Sequence, residues 1–313
     1  SRSQCNPYYE DGYLPIFASC MSSVVSIENA GDFNAARIRA VIPRSYYVDE
    51  RLEYLFKNEG NFVAFSLNEA RDIFINRTEE FEIELRIAKR FANMPIRVCI
   101  DLANGHMKCL LDLVKELKAK YGDSMLIMTG NIANPKTYAD YEKAGVDYCR
   151  VSIGTGNVCS TSSNTAVHFP VFSLLKEIYE VKQSIDGKCK IIADGGINGF
   201  RDIQKVLIYA DSVMIGSLFN KAIESAGKTT YGTFYWNVRG KKIARPLKTL
   251  FYFGKEIPKS DYEYAYHLVK TGKLTVWKEN FGMSTKLAQS LINKANSSET
   301  KKLKTSEGLL NYQ

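Results

Sequence analysis

The sequence has no run of about 18 apolar residues, and its first residues lack the charged-then-apolar order of a secretory signal. Its seven cysteines are odd in number and form no CxxC pair, and its three histidines form no HExxH motif. These absences argue against a membrane-spanning helix, a disulfide framework and a zinc site. We therefore expect a cytoplasmic protein with reduced thiols and no membrane partner.

Acidic residues are outnumbered: 42 lysines and arginines stand against 34 aspartates and glutamates, a net charge of +8. This excess favours anionic ligands such as phosphates without specifying nucleic acid. The basic residues concentrate in segments 239–248 and 294–308, without the regular aromatic interleaving of a single-strand binding surface. We expect solvated loops there and no nucleic-acid partner.

Short apolar segments recur along the chain and alternate with segments of helical length and period. The predicted strands begin at Leu14, Ile38, Phe62, Ile96, Met125, Tyr148, Cys189 and Ser212. The predicted helical segments begin at Glu80, His106, Asn134, Pro170 and Gly199. Repeated alternation of strand and helix, with both sheet faces covered, predicts an α/β protein with a (β/α)8 TIM barrel.

The residues that follow the predicted strands resemble an active site, because barrel enzymes carry their chemistry on the loops after the strands. Strands four to eight end in segments 101–105, 130–131, 154–156, 194–196 and 216–217. Segment 194–196 ends in two glycines, and segment 216–217 is a glycine followed by a serine. They follow the two strands after which barrels commonly bind phosphate on backbone N–H groups. The sequence therefore predicts a phosphate site, although each glycine taken alone is equally typical of a turn.

The alternation of predicted strands and helices stops at about residue 221, and an aromatic and basic segment follows as far as residue 278. We interpret it as an inserted loop or subdomain after strand eight, within an insertion and flap region at about 221–308. Its aromatic residues favour its own packing or a subunit contact over base stacking. Residues 1–313 are accordingly expected to form a single catalytic domain.

A glycine-rich loop, residues 154–161, leaves the sixth strand and delivers Cys159. Loop N–H groups stabilise a thiolate, and the flexible backbone lets sulfur approach a substrate. The carbonyls of Gly154 and Gly156 are suited to a hard monovalent cation. The alternative is an inert buried cysteine, which is the common case for a lone thiol.

Several motifs, in chain order, resemble the family of inosine monophosphate dehydrogenases and guanosine monophosphate reductases. They are SRS at 1–3, DLANG at 101–105, the loop at 154–161, ADGG at 193–196, MIGS at 214–217, GMS at 282–284 and SEG at 306–308. The resemblance spans nearly the whole chain. It implies a redox reaction assisted by a thiol at C2 of a purine nucleotide.

In the reductase, the resemblance implies that Cys159 adds to C2 of guanosine monophosphate (GMP) and that ammonia leaves. The resulting thioimidate then accepts hydride from NADPH. Thr161 and Glu307 match the positions of a proton relay. Taken alone, Thr161 is typical of a loop contact and Glu307 of a solvated charge.

The resemblance also assigns binding residues, each by a matching position in the sequence. Those implied to bind substrate are Asp194, Gly195, Gly196, Gly216, Ser217, Gly282, Met283, Ser284, Lys304, Ser306 and Gly308. Those implied to bind the cofactor are Ser1, Arg2, Arg44, Asp101, Leu102, Ala103, Ile153, Gly154 and Met283. Potassium is implied at Gly154, Gly156 and Cys159, and the family's assembly implies a homotetramer.

Two features favour the reductase branch over the dehydrogenase. No regulatory CBS-type module interrupts the chain after the second strand, and residues 280–285 with 306–308 resemble the reductase flap. Lys304 departs from the arginine usual in reductases, and the chain is expected to be divergent or incomplete at both ends. An NAD-dependent dehydrogenase that oxidises inosine monophosphate (IMP), and a nucleotide-binding barrel without turnover, remain as alternatives.

Overall fold

A computed structural model of the chain describes residues 8–9, 11–57, 60–77, 95–153, 169–220 and 225–227. It gives the backbone alone for residue 200 and for 229–238, 241–252 and 255–256. Among the helices so described, none has the length and apolarity needed to cross a membrane.

Eight parallel strands close into a barrel, in which each strand pairs with the next and β8 pairs back with β1. The strands are β1 (Ile16–Ala18), β2 (Arg39–Ile42), β3 (Phe62–Phe65), β4 (Ile96–Asp101), β5 (Met125–Ile132), β6 (Tyr148–Val151), β7 (Lys190–Asp194) and β8 (Ser212–Ile215). Each of them begins within one of the eight predicted apolar segments, and β5 extends one residue past its segment, which ends at residue 131. The predicted (β/α)8 barrel is confirmed.

Helices lie between the strands. They are α1 (Ala30–Ala35), α2 (Val48–Lys57), α3 (Leu67–Arg71), α4 (Lys108–Tyr121), α5 (Pro135–Ala144), α6 (Val171–Ser184), α7 (Phe200–Val206) and α8 (Ser217–Asn220). A π-helical turn, Asp72–Asn76, continues α3. The helix predicted from Glu80 lies outside the described residues.

Local sequence explains where several helices begin and end. Helix α5 begins after Asn134, whose side chain accepts a hydrogen bond from the Lys136 amide, and Pro135 occupies its first turn. It ends at Gly145, whose left-handed backbone (φ +86°) suits glycine. Helix α7 stops at Val206, short of the predicted end at residue 210, because the amides of Ile208 and Tyr209 bond three residues back and tighten the chain into a turn.

Alternation along the strands divides the core into two layers. Inside the barrel lies a cluster of buried side chains, and the outward-facing residues pack against the helices in a larger cluster. Phe17, Phe62 and Tyr148 form an aromatic trio at the middle of the barrel, with ring centroids 5.4–5.9 Å apart in edge-to-face contact. This aromatic trio separates the two ends of the barrel interior.

After the barrel, the chain forms an antiparallel ribbon of β9 (Thr229–Val238) and β10 (Lys241–Tyr252), with β11 (Lys255–Glu256) paired to β10. Ten residue pairs join β9 and β10 in unbroken register. These strands fall within the segment predicted to be an insertion, and the role of that segment stays a prediction.

Candidate active site

Charged side chains converge where the barrel strands end. Asp101 ends β4, Arg150 lies near the end of β6, and Asp194 ends β7. Each follows an interior residue by two positions, so the two-residue repeat of a strand directs all three into the barrel mouth. Parallel strands place these ends on one rim, which is the rim where barrel enzymes carry their active sites.

Arg150 joins the two carboxylates. Its Nη1 donates to Asp101 Oδ1 at 2.6 Å, while Nη2 and Nε donate to Asp194 Oδ2 at 2.8 and 2.9 Å. Asn131 Nδ2 donates to the same Asp194 oxygen at 2.7 Å. A single planar guanidinium thus fixes the separation and the orientation of both acids, a task for which its rigid fork of donors is suited.

Burial makes this arrangement electrostatically strong. The side chain of Arg150 is 7% exposed, and those of Asp194 and Asp101 are 11% and 21% exposed. Burial opposes ionisation of Asp101, but the cations of Arg150 and Arg44 outweigh it and lower the pKa of that carboxyl. The pKa of Arg150 is raised although burial opposes its charge, since both carboxylates face it. Asp101 and Arg150 are therefore both charged at neutral pH.

Two further groups contact Asp101 from the outer side. Arg44, on the loop after β2, donates from Nε to Asp101 Oδ2 at 3.2 Å, and its side chain is 45% exposed. The Cys20 thiol, on the loop after β1, lies 3.6 Å from Asp101 Oδ1. Burial raises the pKa of Cys20 well above the usual value, so this thiol is protonated and donates to the carboxylate.

Glycine at position 130 allows the close approach of β5 to β6. A Cβ atom at Gly130 would lie 2.4 Å from the backbone oxygen of Arg150, and its φ of +148° is one that other residues rarely adopt. Asn131 follows directly, and its amide nitrogen donates to the Leu102 oxygen at 3.3 Å. The close contact thus positions both Arg150 and the asparagine that supports Asp194.

The two glycine loops predicted to bind phosphate lie side by side. Gly195 and Gly196 both have positive φ, +89° and +72°, and turn the chain sharply after β7. Ser217, after β8, donates from its hydroxyl to the Ile197 oxygen at 3.0 Å and so joins the two loops. At Gly216, a Cβ atom would lie 2.8 Å from the Met21 sulfur, so glycine keeps this corner open.

The predicted site residues divide into two groups. The described ones lie on the same rim: Arg44, Asp101, Leu102, Ala103, Ile153, Asp194, Gly195, Gly196, Gly216 and Ser217. The others lie outside the described residues: Ser1, Arg2, Gly154, Gly156, Cys159, Thr161, Gly282, Met283, Ser284, Lys304, Ser306, Glu307 and Gly308. The predicted nucleophile, proton relay and potassium site therefore stay predictions.

Sequence reasoning missed the central residue. Arg150 is a lone charge within the apolar segment YCRVSIG, and a charge inside a buried strand signals a paired or functional group. Asn131 was noted at a strand end without a role, and Cys20 was not singled out. For Cys20 the sequence gives no signal, since its importance depends on the neighbour that the fold supplies.

Comparison with known proteins identifies the family. The sequence profile described as "IMP dehydrogenase / GMP reductase domain" matches residues 83–256. A GMP reductase of Streptococcus pyogenes serotype M5 (strain Manfredo) is 31% identical over 234 residues, covering 64% of this chain and 70% of that protein. A GMP reductase of Streptococcus suis (strain 05ZYH33) is 34% identical with the same coverage.

A similarity to a dehydrogenase covers less sequence at higher identity. The inosine-5'-monophosphate dehydrogenase of Chlorobaculum tepidum is 39% identical over 133 residues, 42% of this chain and 26% of that protein. The chain thus spans about a quarter of that relative's length. The chain belongs to the IMP dehydrogenase / GMP reductase family of purine nucleotide oxidoreductases.

Proposed function

We propose that the protein is an NADPH-dependent GMP reductase, which converts GMP to IMP and ammonia. The observation that carries the proposal is the chain of ion pairs from Arg44 through Asp101 and Arg150 to Asp194. It joins the carboxylate implied to face the nicotinamide to the one implied to hold the ribose. Hydride transfer needs the nicotinamide and the purine nucleotide to be held at a short, fixed distance from each other.

The barrel rim offers separate positions for the parts of GMP. Asp194, held through Oδ2, is the group that orients the ribose hydroxyls. The joined loops of Gly195, Gly196, Gly216 and Ser217 present backbone N–H groups to the phosphate. Gly282, Met283 and Ser284 are assigned to the base by resemblance. Lys304, Ser306 and Gly308 complete the substrate set on the same ground.

Cys159 is the proposed nucleophile. Its thiolate adds to C2 of the purine, the bond from C2 to the amino nitrogen breaks, and ammonia leaves with a proton from the Thr161 and Glu307 relay. NADPH supplies the hydride that C2 of the thioimidate accepts. The bond from sulfur to C2 then breaks, which returns the thiolate. One GMP, one NADPH and two protons give one IMP, one NADP⁺ and one ammonium ion.

The described residues on the cofactor side fit a nicotinamide dinucleotide. Asp101 is an ionised acceptor at the rim, followed by Leu102 and the exposed Ala103. Arg44 is half-exposed beside it and available to a phosphate group. Ser1, Arg2, Ile153, Gly154 and Met283 join this set by resemblance.

Arg150 is proposed as a positioning residue for both subsites. It touches neither reacting carbon in this scheme, but it sets the positions of the two acids that orient substrate and cofactor. The Cys20 thiol and Arg44 restrain Asp101 from the other side. Misplacing either acid by about 1 Å is enough to slow a reaction about 100-fold.

Two features support the reductase over the dehydrogenase. The GMP reductases match across 70% of their length, whereas the dehydrogenase of Chlorobaculum tepidum matches across 26%. Only 19 residues, 43–61, connect β2 to β3, too few for a regulatory domain at that place. The dehydrogenase reaction, IMP with NAD, is the second candidate because that relative has the higher identity, 39%.

The proposal is tested by following the near-ultraviolet absorbance of NADPH with the purified protein, GMP and potassium. We expect absorbance loss matched one to one by ammonia release. Reduction of NAD with IMP, and no NADPH oxidation, would identify a dehydrogenase. No redox change with either pair, despite nucleotide binding, would identify a binding protein without turnover.

Cys159→Ala tests the covalent step. We expect turnover to fall by at least about 1,000-fold while GMP binding, followed by calorimetry, persists. Cys109→Ala is a matched control, because Cys109 is an exposed thiol in the first turn of α4 to which no catalytic or binding role is assigned. Equal activity of the wild type and Cys159→Ala would remove the nucleophile from the mechanism.

Potassium and a homotetramer belong to the same proposal. If the carbonyls of the loop at 154–159 bind potassium, replacing it with a larger organic cation lowers turnover. If cofactor sites lie between subunits, sedimentation shows a tetramer under assay conditions. A fully active monomer would contradict the shared site.

A further inference from the structure

The opposite end of the barrel interior carries a layer of basic side chains. Arg39 begins β2, Arg97 is the second residue of β4, and Lys190 begins β7. Each precedes an interior residue, Val41, Cys99 or Ile192, by two positions. The two-residue repeat of a strand therefore directs these three side chains into the barrel, at its N-terminal end. We call them the basic layer.

Arg39 is the most enclosed member of the basic layer. Its side chain is 1% exposed, its guanidinium lies 4.1 Å from the Tyr13 ring centroid, and its Nε donates to the Gly60 oxygen at 2.9 Å. Its Nη2 pairs with Asp11. Its Nη1 is buried and has no hydrogen-bond partner among the described residues. A buried donor without a partner is costly, and it indicates a missing acceptor.

Arg97 and Lys190 complete the basic layer. Arg97 is 5% exposed, and the one described hydrogen bond from its guanidinium is a long one, 3.3 Å from Nη1 to the Pro95 oxygen. Burial lowers the pKa of Arg97, and the Arg39 cation lowers it further. Lys190 Nζ lies over the rings of Tyr9 and Tyr148, 4.4 and 5.4 Å from their centroids.

The charges of the basic layer do not balance among the described residues. Three cations face one carboxylate, Asp11, whose side chain is 37% exposed. Asp211, the next carboxylate near Tyr9, is already paired with Lys182 at 2.7 Å. Buried cations in proteins are ordinarily paired, because desolvation is otherwise unfavourable.

We propose that the basic layer binds a small oxyanion of the phosphate class at the N-terminal end of the barrel. Guanidinium groups suit such a ligand, since their planar donors match two oxygens at once. Lys190, the first residue of β7, supplies a third cation. Tyr9 and Tyr13 stack on these cations and fix their positions.

This site is separate from the proposed nucleotide site. Arg97 and Asp101 lie four residues apart on β4, which is about 13 Å along a strand. The aromatic trio of Phe17, Phe62 and Tyr148 lies between the two ends. The inference therefore stands whether or not the protein reduces GMP.

The test measures thermal unfolding of the full chain against inorganic phosphate, with chloride holding the ionic strength constant. We expect a saturable rise in Tm of about 2–4 °C at ten times the dissociation constant. The double variant Arg97→Gln with Lys190→Gln should lose this rise. Lys188→Gln should keep it, because the Lys188 side chain is exposed at the surface, where its Nζ pairs with Asp186.

Each outcome decides the proposal. An equal rise in the wild type and the double variant would place phosphate elsewhere, including the nucleotide site, and would overturn the inference. No rise in the wild type would also overturn it, because the basic layer would then bind no free phosphate. Lys190→Gln alone, a half-buried change, tests the site if the double variant fails to fold.

Repeating the titration with ATP in place of phosphate distinguishes the source of the anion. A rise with phosphate and none with ATP indicates a site for the free ion. A rise with both, lost in the double variant, indicates a phosphate group that a nucleotide can supply. Both results support the basic layer as an anion site, whereas a phosphate-induced rise that survives in the double variant counts against it; a surviving rise with ATP alone belongs to the separate nucleotide site.

Discussion

The two ends of the barrel interior differ in how their buried charges are paired. At the C-terminal end, one cation, Arg150, lies between two carboxylates and binds both at 2.6–2.9 Å. At the N-terminal end, three cations of the basic layer face one described carboxylate. The first arrangement is complete within the described chain, and the second is not. Ion pairs that are complete hold their side chains in place before a ligand binds. Buried cations without enough carboxylates indicate a place where an anionic ligand binds.

The largest loss of stability is expected when the ion pairs of Arg150 at the C-terminal end are broken. Arg150→Met leaves Asp101 and Asp194 buried together without their shared cation, so we expect the free energy of unfolding to fall by about 3–5 kcal/mol. Urea denaturation measures it. Arg71→Met, which breaks the surface pair with Glu116, is the control and should change the unfolding free energy by about 0.5 kcal/mol or less. Similar losses in both variants would contradict the distinction.

A smaller effect is expected from the backbone that supports this end. Gly130→Ala forces a Cβ atom against the Arg150 oxygen at a strained φ, so we expect a loss of about 2–3 kcal/mol in unfolding free energy. Gly31→Ala is the control, because that helical glycine has no atom within 4 Å of its Cβ position. Chemical denaturation of both variants should separate them, and equal stability would remove the close-contact argument.

Low pH should weaken the ion pairs at the C-terminal end, because Asp101 has a lowered pKa in the folded protein. Its contribution to stability is present above the unfolded-state value near 3.9 and is lost as pH falls through the folded value. We expect Asp101→Asn to be less stable than the wild type at pH 7, by about 1–2 kcal/mol. Unfolding measured across pH should show this difference shrinking below about pH 4. A constant difference would mean that Asp101 is not held ionised by Arg150.

The smallest effect is expected at the other end. Arg97→Met removes a buried cation that is close to another cation, so without phosphate we expect a change between zero and about 1 kcal/mol, in the stabilising direction. The same urea experiment applies. A loss comparable to that of Arg150→Met would show that the N-terminal end is also internally paired.

The sequence predicts the fold in detail because strand and helix periods are local. Seven of the eight strands lie within the predicted segments and β5 extends one residue past its own, and the glycine-rich strand ends are on the rim where the resemblance assigns them. The short helices α1, α2 and α3 were not predicted, since five to ten residues carry too little periodicity.

The charge network depends on contacts that sequence spacing does not encode. Arg150, Asp101 and Asp194 come from three strands, and their pairing needs the closed barrel. The basic layer is similar: Arg39 and Arg97 are 58 positions apart and approach each other only because β2 and β4 open into the same interior. The Arg150 network and the basic layer share one sequence signal, which is a charged residue inside an apolar segment. This signal indicates that the residue lies in the core, but it does not identify the residue with which it pairs.

We propose that the ion-pair network at the C-terminal end serves the oxidoreductase reaction and that the basic layer does not. The most direct measurement is kcat/KM for GMP-dependent NADPH oxidation in Arg150→Lys and in Arg97→Met. Arg150→Lys keeps the charge but loses the fork that holds both acids, so we predict a fall of about 100-fold or more. Arg97→Met should stay within about threefold of the wild type, which is below 1 kcal/mol. Wild-type kcat/KM in Arg150→Lys, or equal losses in the two variants, would contradict the account.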